Sequence, residues 1–486
     1  GLSNSHYAPF LTDIKDGEMV GKTFTRQELF DYVAVTDGER FDAGSVYYNQ
    51  VHDVHPPLHY WLLNAVCSLF PDTFSKWTGL ALNYVLYMLT MFVLYKTVRK
   101  LGWSRGCGTA AAVLYGLSVI GMSTFVMIRM YMLLTLLTVV LMYLIVCLMR
   151  EFKPKYCILT GLVLLAGLIT QYYFVFYAFF LCAAYVIYAL VKREYKALAW
   201  FVPCALVGAL SLLLVFPACI DHLFADNIVS GGNAMENLRN FAQYPVRLRT
   251  FISFITHGLK AAIIIALLAI IALGVYFRKF KAAAKDKRLD LRALVLIVPA
   301  FVVLVIVALI SPVDEPRYIY NLVPAFVLAA CLLLYLLEES LGSFEREGLI
   351  KTAALLCIMA LALWQARCAP PDYLYPEYAE YDAIVAEHSD DKCVYFSDNR
   401  FEAITQDLLQ LMAFDDFYVS DDTELTGALD YVGGADEFVA YVDISVFWSS
   451  GYNPDKIISA LADASDYDKA ELLYQNGLSA TYLISK

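Results

Sequence analysis

The chain has 486 residues, of which 60% are hydrophobic and 17% charged, with a mean hydropathy of +0.58 and a net charge of −11. A soluble protein of this length carries closer to a quarter charged residues, so an ordinary soluble globule is excluded. Residues 370–486 hold 24 Asp and Glu against 5 Lys and Arg, leaving 31 basic and 23 acidic residues elsewhere, so a mildly basic apolar part precedes an acidic tail that argues against nucleic acid as a partner.

Residues 1–75 read as an outer loop. Its stretch VHDVHPPLHYWLL (51–63) holds His52, His55 and His59, three of the seven histidines, beside Asp53. Zinc needs three or four converging ligands, and H-x-x-H before a double proline is a weak match, so no metal or other cofactor is assigned, and His52 and His59 read as solvated or interfacial bystanders. Residues 57–70 are too short to cross a bilayer as a helix. Tyr60, Asn64 and Ser68 draw one polar stripe, while Leu58, Trp61, Leu62, Val66, Leu69 and Phe70 fill the other side. This pattern predicts an amphipathic helix in the outer interface, with Pro56 and Pro57 at its first turn.

Ten apolar runs follow, at 76–97, 107–124, 131–149, 157–170, 174–190, 198–217, 256–277, 292–311, 318–337 and 350–366. Every second connection is basic: Lys96 to Arg105, Arg150 to Lys155, Lys192 to Lys196, and Arg278 to Arg292. The positive-inside rule makes these loops cytoplasmic. The alternate segments then face outward, including residues 1–75 and the tail from about 367. An even number of spans places the N-terminus outside, so a further span is expected before Gly1. The eleven cysteines show no zinc or redox spacing, and most lie within apolar runs. In the tail, 393–398, 438–444 and 480–485 read as strands, and 403–414 and 454–464 as amphipathic helices, which predicts a soluble α/β domain.

Charge near hydrocarbon is costly, so polar groups at the outward ends of spans are the best guide to function. Four clusters gather there: Asp53 with His55; Arg129 with Tyr131; Gln171, Tyr172 and Tyr173; and Arg317 with Tyr318, after Asp314 and Glu315. Each has a plainer reading. Arg129 could snorkel to lipid phosphate, the tyrosines could form an interfacial belt, and Arg317 could pair with Asp314 or Glu315. Together, two arginines, amides, tyrosines and an acid at one face suit a lipid-linked phosphate and a sugar.

The order H-P-P-L (55–58), R-x-Y (129–131), T-Q-Y-Y (170–173) and R-Y-x-x-x-L-x-P (317–324) resembles the GT-C type membrane glycosyltransferases. The resemblance is to the branch of protein O-mannosyltransferases and aminoarabinose transferases, glycosyltransferase family 39-like, and covers roughly residues 1–366. It implies a polytopic α-helical membrane protein of GT-C fold with a C-terminal soluble α/β domain. The expected division is 1–75, first loop; 76–366, membrane domain; and 367–486, extracytoplasmic acidic domain. It implies an enzyme of the cell envelope, multi-pass in the cell membrane, that passes a hexosyl or pentosyl unit from a polyprenyl-phosphate sugar donor to a lipid, glycan or protein acceptor, with inversion. In similar bacterial enzymes the catalytic acidic pair precedes a stretch like GLSNSHYAPF, here residues 1–10, so that pair is expected upstream of Gly1. Asp53 and His55 are then the catalytic candidates within the chain. Arg129, Tyr131, Gln171, Tyr172, Tyr173, Arg317 and Tyr318 are the candidate substrate-binding residues. A non-catalytic protein that binds or transports the same carrier is the alternative.

Overall fold

The computed structural model describes residues 19–224, 237–279, 290–341, 347–397, 404, 407–421, 425–444 and 452–486. These form two compact units. One takes in residues 53–63 and 76–374; the other joins the residues up to 52 with 64–75 and 375–486.

The first unit is helical and polytopic. Among the described residues, seven stretches are long and apolar enough to cross a bilayer: Lys76–Leu101, Tyr131–Arg150, Phe174–Val191, Tyr195–Val215, Leu291–Ile310, Pro316–Ser340 and Gly348–Cys368. Helices also occupy the other three expected places, with differences that have local causes. The run at 107–124 is two helices, Arg105–Gly116 and Val119–Val126, bent by 59°. Ser118 makes the break, because its hydroxyl donates to the Tyr115 carbonyl (2.7 Å) and accepts from the Gly121 N–H (3.0 Å), capping the second helix. The run at 256–277 begins at Lys260, after a turn of 86° from the helix ending at Gly258. Gln365 fills that turn: its amide donates to the Gly258 carbonyl (2.8 Å) and accepts from the Ala261 N–H (2.6 Å), satisfying groups that a broken helix leaves orphaned. The run at 157–170 is the helix Pro154–Leu168, whose 15 residues rise only about 22 Å. Gly161 lets it close on Gly208 of Tyr195–Leu210, since a Cβ on either would meet the other helix's backbone at 2.5 Å or less.

The second unit is a six-stranded sheet in the order β1-β3-β2-β4-β6-β5, with β1 Thr23–Thr25, β2 Lys392–Phe396, β3 Asp416–Ser420, β4 Glu437–Asp443, β5 Lys469–Gln475 and β6 Ser479–Ser485. β3, β2 and β4 are parallel and form the middle of the sheet. Both faces of β2 and β4 are buried, as expected of parallel strands covered on both sides. Cys393, Tyr395, Val439 and Tyr441 face one core, and Val394, Phe396, Ala440 and Val442 the other. The expected strands at 393–398, 438–444 and 480–485 coincide with β2, β4 and β6, residue 398 lying outside the described residues, and the helix at 454–464 with Pro454–Ala464. Of the expected helix 403–414, residues 403, 405 and 406 lie outside the described residues, and a short helix Leu408–Leu411 remains.

The sheet extends into the first loop. β1 pairs antiparallel with β3, Phe24 opposite Phe417. The helix Arg26–Val33 follows at once, started by a capping box in which Thr25 and Glu28 satisfy each other's backbone N–H. It buries Leu29 and Tyr32 in the same core as Tyr395 and Tyr441. Arg40 and Phe41 then bond to Ser68, at 2.9 and 2.8 Å, which brings 64–75 into this unit. The grouping cuts across the expected division, because the first loop and the tail share one core. A hydrogen-bonded sheet cannot straddle a bilayer, so β1 and the tail lie on one side of it.

Leu29→Ala should therefore destabilise the tail, by about 2–5 kcal/mol for a fully buried leucine. The readout is faster proteolysis within 375–486 in the intact chain, and an unchanged rate would break the shared core. A second expectation concerns Asp407, which accepts from Asn476 Nδ2 (2.6 Å) and Tyr395 Oη (3.0 Å). Burial pushes its carboxyl up to about 6 against the lowering effect of these donors, and the Asp443 charge adds to the rise. A raised carboxyl favours the folded state fully below its unfolded value of 3.8, and that contribution is lost as pH rises through about 6. Asp407→Asn should flatten the melting temperature of the sheet unit between those values and stabilise it at neutral pH by about 3 kcal/mol. An undiminished slope in the variant would place the titration elsewhere.

Candidate functional site

The helical unit brings the expected polar clusters together, beginning at the double proline. Pro56 and Pro57 have no N–H, so Leu58 carries the first N–H of the helix Leu58–Cys67. It donates to the Ile169 carbonyl (2.9 Å), just past the end of Pro154–Leu168. This bond fastens the H-P-P-L segment to the T-Q-Y-Y turn. The helix turns its polar stripe inward: Tyr60, Asn64 and Ser68 are 6%, 3% and 0% exposed, whereas Leu69 and Phe70 are 60% and 55%. An apolar outer side suits an interfacial helix.

The histidines have three separate environments. His52 is exposed, with its Nδ1 2.8 Å from the Tyr48 carbonyl. His55 Nδ1 lies 2.7 Å from Asp53 Oδ2, both side chains mostly buried. His59, expected to be a solvated or interfacial bystander, is instead 0% exposed, and among the described residues neither ring nitrogen is hydrogen-bonded. Burial, then the Arg129 and His55 charges, push its imidazole down to about 3, so it is neutral. Burial alone would raise the Asp53 carboxyl, but the His55 hydrogen bond and charge, with Arg129, hold it below its usual value. Asp53 is thus an ionised partner that orients His55 through Nδ1 and leaves Nε2 for other chemistry.

Arg129 projects from the link between Val119–Val126 and Tyr131–Arg150. Asn83, buried in Lys76–Leu101, donates to the Phe125 (2.8 Å) and Met127 (2.9 Å) carbonyls and fixes this link. The guanidinium lies beside Tyr60, Tyr131 and Asp53. Among the described residues no carboxylate comes within 4 Å of it, so it is a desolvated cation without a salt bridge.

Arg317 comes from the 3-10 helix Pro316–Leu322. Its Nε is 2.9 Å from Glu315 Oε2, one of the two local pairings that the plainer reading allowed, but its N–H is not aligned on that oxygen. Its guanidinium lies 5.6 Å from the Tyr318 ring, near the Tyr131 side chain and within range of the Arg129 charge. Tyr318 packs on Tyr173 (5.1 Å between centroids), and Tyr131 meets Tyr320 edge-on (6.0 Å). The Tyr172 hydroxyl bonds His222 Nδ1 at 2.9 Å. Gln171 is buried and holds its turn through the main chain, its N–H donating to Gly167 (3.0 Å) and its carbonyl accepting from Phe174 (3.1 Å).

Sequence reasoning missed Arg247, on the helix Tyr244–Gly258, 5% exposed. It takes Asp314 away from Arg317, with Nε 2.9 Å from Asp314 Oδ1, and donates to the Ser311 hydroxyl at 2.7 Å. Tyr373 was also missed; its hydroxyl reaches Glu315 Oε2 at 3.4 Å. Their partners, Asp314 and Glu315, lie far away in the chain, so sequence does not show these contacts.

Residues 54–220 match the family described as dolichyl-phosphate-mannose-protein mannosyltransferase. The match spans His55, Arg129, Tyr131 and the tyrosine turn, and bears out the resemblance to GT-C type membrane glycosyltransferases. No curated protein sequence matches the chain. Among solved structures, the oligosaccharyltransferase of Archaeoglobus fulgidus is similar at 10% identity and a TM-score of 0.42, over 80% of this chain and 61% of that one. The arabinofuranosyltransferase AftD from mycobacteria is similar at 14% identity and a TM-score of 0.41, over 99% of this chain and 38% of that one. The chain thus spans less than two thirds of either.

Arg247→Met should lower the stability of the helical unit by on the order of 2 kcal/mol, less than for a fully buried pair because Asp314 is 38% exposed. Arg247→Lys should restore only part of this, since an ammonium cannot hold Asp314 and Ser311 as a fork does. Equal melting of the Met variant and the parent would remove Arg247 from the framework of the site.

Proposed function

We propose that this protein transfers a sugar from a polyprenyl-phosphate carrier to an acceptor on the extracytoplasmic face of the cell membrane. The observation that carries the proposal is the approach of two desolvated arginines, Arg129 and Arg317, within a wall of tyrosines. Neither has a carboxylate aligned on its guanidinium among the described residues, and a guanidinium fork matches a phosphate. The family matched by residues 54–220 supports glycosyl transfer as the class of reaction.

In the proposed step, the bond from the sugar's anomeric carbon to the phosphate oxygen breaks while the acceptor oxygen bonds to that carbon from the opposite face. The leaving polyprenyl phosphate keeps the electron pair, and the arginines stabilise its charge as it develops. The acceptor's proton goes to a base. Among the described residues His55 Nε2 is the candidate, with Asp53 holding the ring. The lowered Asp53 carboxyl is better suited to orient than to abstract. The tyrosines offer ring faces and hydroxyls suited to a sugar.

The test uses the full protein in its native membranes with a panel of hexosyl and pentosyl polyprenyl phosphates, following release of polyprenyl phosphate. One carrier should be turned over. Arg129→Ala and Arg317→Ala should each reduce kcat/KM by about 100-fold or more, and His55→Ala by a comparable factor. Carrier binding without release would make the protein a binding or transport protein. Undiminished turnover in both arginine variants would overturn the site.

A further inference from the structure

We infer that the sheet unit carries a divalent metal site made by His388, Asp391 and Glu437, remote in sequence from the arginine cluster and independent of the proposed transfer. One ligand atom from each lies within 4.8 Å of the other two. The backbone builds this group. His388 caps the C-terminal end of the helix Tyr378–Glu387, where the helix dipole favours a cation. A tight turn follows, with the Asp391 N–H donating to the His388 carbonyl at 3.0 Å, and sets His388 Nδ1 2.9 Å from Asp391 Oδ2. β2 and β4 pair in parallel with Lys392 opposite Phe438, so the preceding residues, Asp391 and Glu437, stand side by side at the strand starts.

Two carboxylates on adjacent strand ends repel each other, and nearby lysines do not relieve them. Lys392 pairs with Asp416 (3.2 Å) and Lys486 with Asp436 (3.7 Å). Among the described residues Asp391 pairs only with His388, and Glu437 has no ion pair. The surrounding tail, with 24 acidic against 5 basic residues, adds to the negative field. An imidazole with two carboxylates suits zinc or a similar first-row divalent ion. Glu437 is exposed and free to swing in as the third ligand, leaving at least one position to water. Such an ion would tie the end of a helix to the starts of two central strands.

The experiment titrates tag-free full-length protein, stripped with a chelator, with zinc chloride by calorimetry, and follows the melting of the sheet unit with and without zinc. The parent should show a one-to-one binding event and a higher melting temperature with zinc. Glu437→Gln and His388→Ala should each weaken that event roughly tenfold or more and lose the zinc-dependent rise, while melting like the parent without zinc. Should His388→Ala melt early without zinc, Glu437→Gln decides, because its side chain is exposed and bonds nothing else among the described residues. An isotherm unchanged in Glu437→Gln, or no binding by the parent, would overturn the site.

Discussion

The arrangement of the helical unit depends on one hydrogen bond at a place where a helix would normally lack a partner. Two prolines remove two N–H groups from the start of Leu58–Cys67, and the next, from Leu58, reaches the Ile169 carbonyl. That carbonyl is in turn one that a helix end leaves open. Each orphan satisfies the other. The bond sets the segment carrying Asp53 and His55 against the turn carrying Gln171, Tyr172 and Tyr173. It also commits the inward side of the short helix, so that His59 and Tyr60 are buried near Arg129. With the segment fixed, Asp53 can hold His55 and sense Arg129, and the four polar clusters become one neighbourhood.

Much of this was legible in the sequence, for physical reasons that also explain what was not. Hydropathy locates spans because lipid demands apolar length, and each of the ten expected places holds a helix. β2 and β4 announced themselves because strands buried on both faces must be almost wholly apolar. The four polar clusters stood out because charge is rare at such depth. By contrast, β1 is three residues, Thr-Phe-Thr, with no period to detect and a partner nearly the whole chain away. The breaks at Ser118 and Gly258 had a serine and a glycine to mark them, but a window average of apolarity runs straight through both. The inward side of Leu58–Cys67 was hidden for a related reason. A polar stripe beside an apolar face does not say which is packed on protein when the other solvent is lipid.

Arg247 shows the same limit for electrostatics. Local sequence offered Arg317 two acidic neighbours, Asp314 and Glu315, and adjacency favours either. Tertiary structure decides, because Arg247 arrives on another helix and takes Asp314 through Nε while also holding Ser311. Among the described residues Arg317 keeps Glu315 as its acidic partner, and only by distance. A partly buried cation whose acidic partner is not aligned on it is costly to keep, and such groups concentrate at functional positions.

On the proposed reading, Arg317 would take a phosphate in preference to the carboxylate beside it. The Arg317–Glu315 contact gains Coulomb attraction but not an aligned N–H bond, and Glu315 also accepts from Tyr373. Charge-assisted bonds are strong when donor and acceptor align, above all when a guanidinium offers two parallel N–H groups to two oxygens. The phosphodiester of the proposed donor presents two non-bridging oxygens that can meet that fork, and a third becomes free as the sugar leaves, while Glu315 is tethered two residues away. Arg129 has no such competitor among the described residues. A phosphate shared by both arginines would offset their mutual repulsion and their desolvation together, which neither Glu315 nor Asp53, already engaged with His55, can do for the pair.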